Sequence, residues 1–138
     1  MLTTSRSDPL AHTGVPGQQT SGADPGKVLA KATARAAALL GLTGATLSRV
    51  IGSSEPTVSR ILRGERPLNP QSKEGELATL LVRVFQSLDA LVGNDDRQRA
   101  AWMTSHNQAL GGVPRDLIQT VEGLVAALGY LDGMRAPA

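Results

Sequence analysis

The sequence predicts an all-α fold, and three observations support this prediction. The 138 residues include no cysteine and only three aromatic residues, so the core has to be built from Leu, Val, Ile and Ala. This composition favours helices packed on helices. Apolar residues recur at helical spacing from Lys27 onwards. No alternation of polar and apolar residues is long enough to indicate a strand.

Residues 1–26 differ in composition from the rest of the chain. They are rich in Ser, Thr, Gly, Pro and Gln and have no apolar periodicity. Such a segment buries too little apolar surface to offset the entropy lost on ordering. We therefore expect a flexible N-terminal tail over 1–26, a first helical domain over 27–72 and a second over 73–138.

Local signals divide the first domain into three short helices. Gly41 ends the first, Thr43 caps the second, Gly52 breaks it, Ser54 caps the third and Gly64 closes it. The inward positions of the second and third helices are predicted to be Leu47, Val50, Ile51, Val58, Ile61 and Leu62.

In the second domain a long apolar stripe predicts a helix that ends at Gly93. We expect a fifth helix from Asp95 or Asp96 to about Gln108, a short helix at Pro114, and a last helix capped by Thr120 and ended by Gly133. The inward positions of this last helix are predicted to be Val121, Leu124, Val125, Leu128 and Leu131.

The composition also excludes several classes of protein. The lack of cysteine excludes disulfides and thiolate metal sites. No stretch approaches the roughly 20 apolar residues of a membrane span, and Met1–Gln19 lacks the apolar core of a signal peptide. We expect a cytoplasmic protein without membrane contact, cofactor or metal.

Residues 42–64 resemble the helix-turn-helix of the Xre and lambda-repressor type. Thr43 lies nine residues before the turn glycine, Gly52, and Val58 and Ile61 follow at buried spacing. Gly52 tolerates the positive φ that a steep crossing of two short helices needs, and the outward face of the second helix then enters the major groove. The resemblance implies a lambda-repressor-like DNA-binding domain over 27–72. Between Lys31 and Arg66 this domain carries six basic residues against two acidic ones.

The outward face of this second helix supplies the candidate DNA contacts. Arg60 is the best candidate for a bidentate contact to guanine, and Thr57 for a thymine methyl group or a phosphate. Arg49, Arg63 and Arg66 are expected to bind phosphates. The predicted DNA-binding residues are Thr43, Arg49, Glu55, Thr57, Ser59, Arg60, Arg63 and Arg66. The sequence departs from the common pattern at Gly44, where a Gln is frequent, and at Glu55, where Gln or Ser is frequent, so the operator sequence stays open.

A second resemblance covers residues 99–123. A helix led by Trp102 precedes an Asn107-x-x-Leu-Gly-Gly stretch, and a Pro114-x-x-Leu-Ile-x-Thr-x-x-Gly123 segment follows. This order of elements is similar to the toxin-binding domain of Xre/MbcA/ParS-type antitoxins. From the residues alone, Trp102 is expected to pack in the core, and Asn107 to have a loop or capping role.

The resemblance implies that the partner is a RES-domain toxin, which acts on NAD or transfers ADP-ribose, and that this chain performs no reaction. The antitoxin would cover the toxin's cofactor pocket with its C-terminal region and repress its own operon. The residues expected to bind the toxin are Tyr130, Asp132, Gly133, Met134 and Arg135, and Arg135 would meet an acidic residue of the pocket. A homodimer is expected, because helix-turn-helix repressors pair to read two half-sites.

Three alternatives stay open at this point. The chain could be a stand-alone Xre-type repressor without a toxin, or an adaptor whose helix-turn-helix no longer binds DNA. A small enzyme is the third alternative, with Ser105, His106 and Asp116 as the residues to consider. Their spacing resembles no nucleophile elbow, and the sequence has no glycine-rich phosphate loop and no H-E-x-x-H pair.

Overall fold

The structure is a computed structural model that describes residues 23–135. These residues form seven helices: α1 Pro25–Leu40, α2 Gly44–Ile51, α3 Glu55–Leu62, α4 Lys73–Val92, α5 Asp96–Thr104, α6 Pro114–Leu117 and α7 Val121–Arg135. The same residues contain no strand beyond one isolated antiparallel bridge between Asn107 and Gly112. The predicted all-α fold is confirmed. Residues 1–22 of the tail predicted over 1–26 lie outside the described residues.

The three helices of the first domain begin where the chain offers a capping side chain. Thr43 Oγ1 accepts a hydrogen bond from the Thr46 amide at 3.1 Å, and Ser54 Oγ accepts one from the Thr57 amide at 3.2 Å. At α1 the cap is Asp24, whose carboxylate accepts from the Gly26 amide at 2.9 Å. For this reason α1 begins at Pro25, two residues before the predicted start.

One apolar core runs through both predicted domains. The long helix α4 packs against α1 and α2 on one side and against α7 on the other. Its side chains Leu81, Val84 and Leu88 are fully buried, as are Leu47 of α2 and Leu131 of α7. Because all of them belong to one cluster, α4 joins the helix-turn-helix to the C-terminal helices.

Two glycines allow backbones to approach each other closely. A Cβ atom on Gly75 would overlap the carbonyl oxygen of Asn69, and one on Gly123 would overlap the carbonyl oxygen of Leu117. Gly123 therefore lets the start of α7 lie against the end of α6. Thr120 caps this start, since its Oγ1 accepts from the Gly123 amide at 3.1 Å.

Some predicted inward positions and two predicted helix ends are wrong. Leu62, Val121 and Val125 are 40%, 50% and 52% exposed. α7 buries Leu124, Leu128 and Leu131 as predicted, together with Ala127, so the two valines lie outside the narrow buried face. Gly133 does not end α7, which continues to Arg135.

The fifth helix ends at Thr104 rather than near Gln108. Asn107 begins a turn in which its amide donates to the Gly112 carbonyl at 2.8 Å, and this turn cannot be part of a helix.

Over the described residues, no helix combines the length and the apolar character needed to cross a membrane.

Candidate nucleic-acid and partner interfaces

Helix α3 has one buried face and one exposed face. Val58 and Ile61 are almost completely buried against the neighbouring helices, and this fixes the rotation of α3 about its axis. Glu55 and Arg60 are consequently exposed, while Thr57 and Ser59 are partly covered. The structure thus brings four of the predicted DNA-binding residues onto one helix, in the arrangement that a recognition helix requires.

The Arg60 guanidinium is held only weakly. Its Nη2 donates to Thr57 Oγ1 at 3.4 Å, which is long for a hydrogen bond. Thr57 itself belongs to the cap, since its Oγ1 also accepts from Ser54 Oγ at 2.9 Å. A guanidinium on the exposed face with one weak contact keeps most of its five N–H donors for a ligand.

Arg63 is held firmly by its neighbours. Its Nε and Nη2 donate to the two carboxylate oxygens of Glu65 at 3.0 and 3.1 Å, and Nη1 donates to Ser59 Oγ at 2.5 Å. The hydrogen bonds from Arg63 lower the pKa of Glu65, and the same carboxylate raises the pKa of Arg63. A phosphate at this position therefore has to share Arg63 with Glu65.

Arg49 contacts the C-terminal part of the chain. Its Nε donates to Gln119 Oε1 at 2.6 Å, and Gln119 Nε2 donates to the Arg115 carbonyl at 3.1 Å. The last turn of α2 is thus joined to the segment between α6 and α7. The sequence gives no signal for this contact, because the two residues are 70 positions apart.

The remaining two predicted DNA contacts lie at the edges of the helix-turn-helix. Thr43 is exposed, and its hydroxyl is used to cap α2. Arg66 is exposed in the loop after α3, and no carboxylate lies within ion-pair distance of it in the described part of the chain. Arg66 is therefore the phosphate candidate with the fewest competing contacts.

The segment that resembles a toxin-binding domain is built around the turn between α5 and α6. Asn107 Oδ1 accepts from the Leu110 amide at 3.0 Å, and Gly111 adopts φ of 79°. The Asn107 side chain therefore stabilises the turn, as predicted. Trp102 is partly buried and packs against the core, which agrees with its predicted packing role.

A buried arginine that sequence reasoning missed holds α5 against α4. Arg99 is 1% exposed; its Nη2 donates to Asp89 at 2.5 Å and its Nη1 to Asp96 at 2.6 Å. These bonds raise the pKa of Arg99. The guanidinium also lies 5.7 Å from the centre of the Phe85 ring. The only sequence signal was the spacing of three between Asp96 and Arg99, which is common on helix surfaces.

The predicted toxin-binding residues lie together over the last two turns of α7. Asp132 Oδ1 accepts from Ser87 Oγ at 2.7 Å, and Arg135 Nη1 donates to the same hydroxyl at 2.9 Å. Both side chains are therefore fastened to α4. Tyr130 is partly buried, whereas Gly133 and Met134 are exposed. The end of α7 is accordingly a defined surface, with one apolar and one cationic side chain exposed.

The side chains considered for catalysis do not form a site. Ser105, His106 and Asp116 are all exposed, and no hydrogen bond joins any two of them. These three side chains therefore do not form a hydrogen-bonded pair of nucleophile and base.

Comparison with known families assigns both parts of the chain. A model described as the antitoxin Xre-like helix-turn-helix domain matches residues 21–83, and one described as the antitoxin Xre/MbcA/ParS C-terminal toxin-binding domain matches residues 87–136. No curated protein matches the chain. The two matches meet inside α4 and together span most of the sequence, which confirms the resemblance. The chain belongs to the Xre/MbcA/ParS antitoxin family and combines a helix-turn-helix domain with a toxin-binding domain.

Proposed function

We propose that this antitoxin neutralises a RES-domain toxin that degrades NAD or transfers ADP-ribose, and that it represses its own operon as a homodimer in the cytoplasm. The observation that carries the proposal is the joining of two surfaces through α4. One is the exposed face of α3, and the other is the end of α7. The antitoxin itself performs no reaction in this proposal.

The DNA-binding part rests on the orientation of α3. Because Val58 and Ile61 are buried, Arg60 lies on the exposed face of α3. When the N-terminus of α3 enters the major groove, Arg60 can contact guanine with two N–H donors. Thr43, Glu55, Thr57 and Ser59 are proposed to line the same groove. Arg49, Arg63 and Arg66 are proposed to bind phosphates.

The toxin-binding part rests on the unused donors of Arg135. One N–H of its guanidinium is bonded to Ser87, so several others remain for a carboxylate in the toxin's cofactor pocket. Met134 is 54% exposed beside it and offers apolar area to the rim of that pocket. Tyr130, Asp132 and Gly133 would complete the covering surface.

The test is an NAD-consumption assay on the product of the neighbouring gene, with and without this protein. Arg135→Glu and a truncation after Asp132 should both restore toxin activity, whereas Lys73→Glu, a charge reversal at the start of α4, should not. The truncation keeps Leu131, which is fully buried, so the core is not disturbed.

Two results would contradict this proposal in different ways. Full neutralisation by both α7 variants would exclude the end of α7 as the covering surface. Binding of promoter DNA without any association with the neighbouring gene product would instead favour a stand-alone Xre-type repressor.

A further inference from the structure

Helix α1 carries a row of basic residues that the proposed DNA contacts do not include. Lys27, Lys31 and Arg35 follow one another at intervals of four, so they lie on one face of the helix. All three are exposed. Within residues 23–135, no carboxylate lies within ion-pair distance of any of them. We refer to these three residues as the α1 basic row.

Two residues of the α1 basic row, Lys27 and Lys31, border a groove between α1 and the end of α3. The groove has a volume of about 390 Å³ and is mainly apolar, with Ala30 and Ala34 on one side and Ile61 and Pro67 on the other. Basic residues stand on both rims, which are formed by Lys27 and Lys31 of α1 and by Arg66 of the loop after α3.

The acidic residues near this groove are already engaged. Glu65 lines it, but both of its carboxylate oxygens accept hydrogen bonds from Arg63. Asp24 precedes α1, and its carboxylate accepts from the Gly26 amide. Lys27, Lys31 and Arg66 line the groove, and Arg63 is paired with Glu65. The rims therefore carry more positive than negative charge above an apolar floor, which suits an anion with apolar surface between its charges.

We propose that the α1 basic row and this groove bind the sugar-phosphate backbone of DNA beside the half-site that α3 reads. The groove continues directly from the last turn of α3 through Ile61 to Arg66. α3 has eight residues and is therefore about 12 Å long, which is about the width of the major groove, so a strand that borders the groove passes close to the last turn of the helix. The deoxyribose can then face the apolar floor while Lys27 and Lys31 take successive phosphates. An acidic peptide would fit the charge but not this continuity with the recognition helix.

The inference rests on the proposed DNA binding and is tested by the salt dependence of that binding. Each phosphate contact contributes about 0.9 to the slope of log K against log salt. Lys27→Ala and Lys31→Ala together should therefore lower the slope by about 2 and weaken binding more than tenfold at about 0.1 M salt. The probe is a duplex from upstream of the coding sequence, compared with a scrambled duplex of the same length.

The ratio of the two affinities should stay the same in the double variant, because phosphate contacts carry no sequence information. Arg97→Ala is the control, since it removes one exposed charge from α5 and should leave both slope and affinity unchanged. Circular dichroism shows whether each variant is folded.

An unchanged slope in the double variant would overturn the inference while leaving the DNA-binding function intact. A loss of the affinity ratio would also overturn it, because the row would then read bases. If the wild-type protein bound neither duplex, the proposed DNA-binding function itself would fail. These three results are distinguishable within one set of titrations.

Discussion

Two glycines of the same helix should respond in opposite ways to the same substitution. In α7, a Cβ atom on Gly123 would overlap the Leu117 carbonyl oxygen, whereas a Cβ atom on Gly129 would meet nothing within 4 Å. Both residues lie inside the helix. Alanine therefore improves the helix propensity at both positions and creates a clash at only one of them.

The expected changes in the free energy of unfolding follow from the different surroundings of the two glycines. Replacing an unstrained helical glycine by alanine gains about 0.5–1 kcal/mol, so Gly129→Ala should be stabilised by that amount. Gly123→Ala forces α6 and α7 apart, and such overpacking costs about 1–3 kcal/mol or more. Because backbone atoms form the obstacle, the helices have to shift as a whole. Because the gain in helix propensity is common to both variants, their free energies of unfolding should differ by the overpacking cost, about 1–3 kcal/mol or more.

Denaturant titration followed by circular dichroism measures this difference directly. In thermal unfolding the midpoints should lie at least about 3 °C apart, since a chain of this size shifts by about 3–5 °C per kcal/mol. Equal stability of Gly123→Ala and Gly129→Ala would refute the close approach of α6 and α7. Loss of toxin neutralisation in Gly123→Ala alone would connect this packing to the toxin-binding surface.

Further substitutions test the charged contacts. Arg99→Met should lower the free energy of unfolding by about 1–3 kcal/mol in denaturant titration. The loss should be smaller than for a fully buried ion pair, because water can hydrate the two carboxylates that lose their partner. An unaltered stability would show that the arginine does not hold α5. Gln119→Ala should raise DNA affinity by about two- to fivefold, because it releases Arg49 from an exposed contact of modest strength. Glu65→Gln should also raise DNA affinity, because it releases Arg63 from its ion pair. A gel shift in which both variants bind DNA no better than wild type would exclude a phosphate role for these arginines.

The helix-turn-helix could be predicted closely because its signals are local. Thr43 and Ser54 cap helices through bonds to residues three positions away, and Gly52 adopts φ of 71° immediately after α2. None of these features depends on distant parts of the chain. The same holds for Thr120 at the start of α7.

Features that depend on distant contacts could not be predicted in the same way. The sequence around Arg99 is polar and predicts an exposed residue, but Asp89 of α4 makes its burial possible. Periodicity placed Val121 and Val125 inside, whereas α7 packs mainly against α4 and α6 and buries a narrower face. Gln119 is far from Arg49 in the sequence, and only the fold brings the two side chains together.

The most direct test of the account is the effect of Arg60→Ala on binding to operator DNA, with Arg97→Ala as the control. The substitution removes the only arginine inside α3, whose guanidinium has just one weak contact in the described structure. We predict a loss of about 1–3 kcal/mol in binding free energy and a weaker preference for operator over scrambled DNA. Unchanged affinity and preference would contradict the assignment of α3 as the recognition helix.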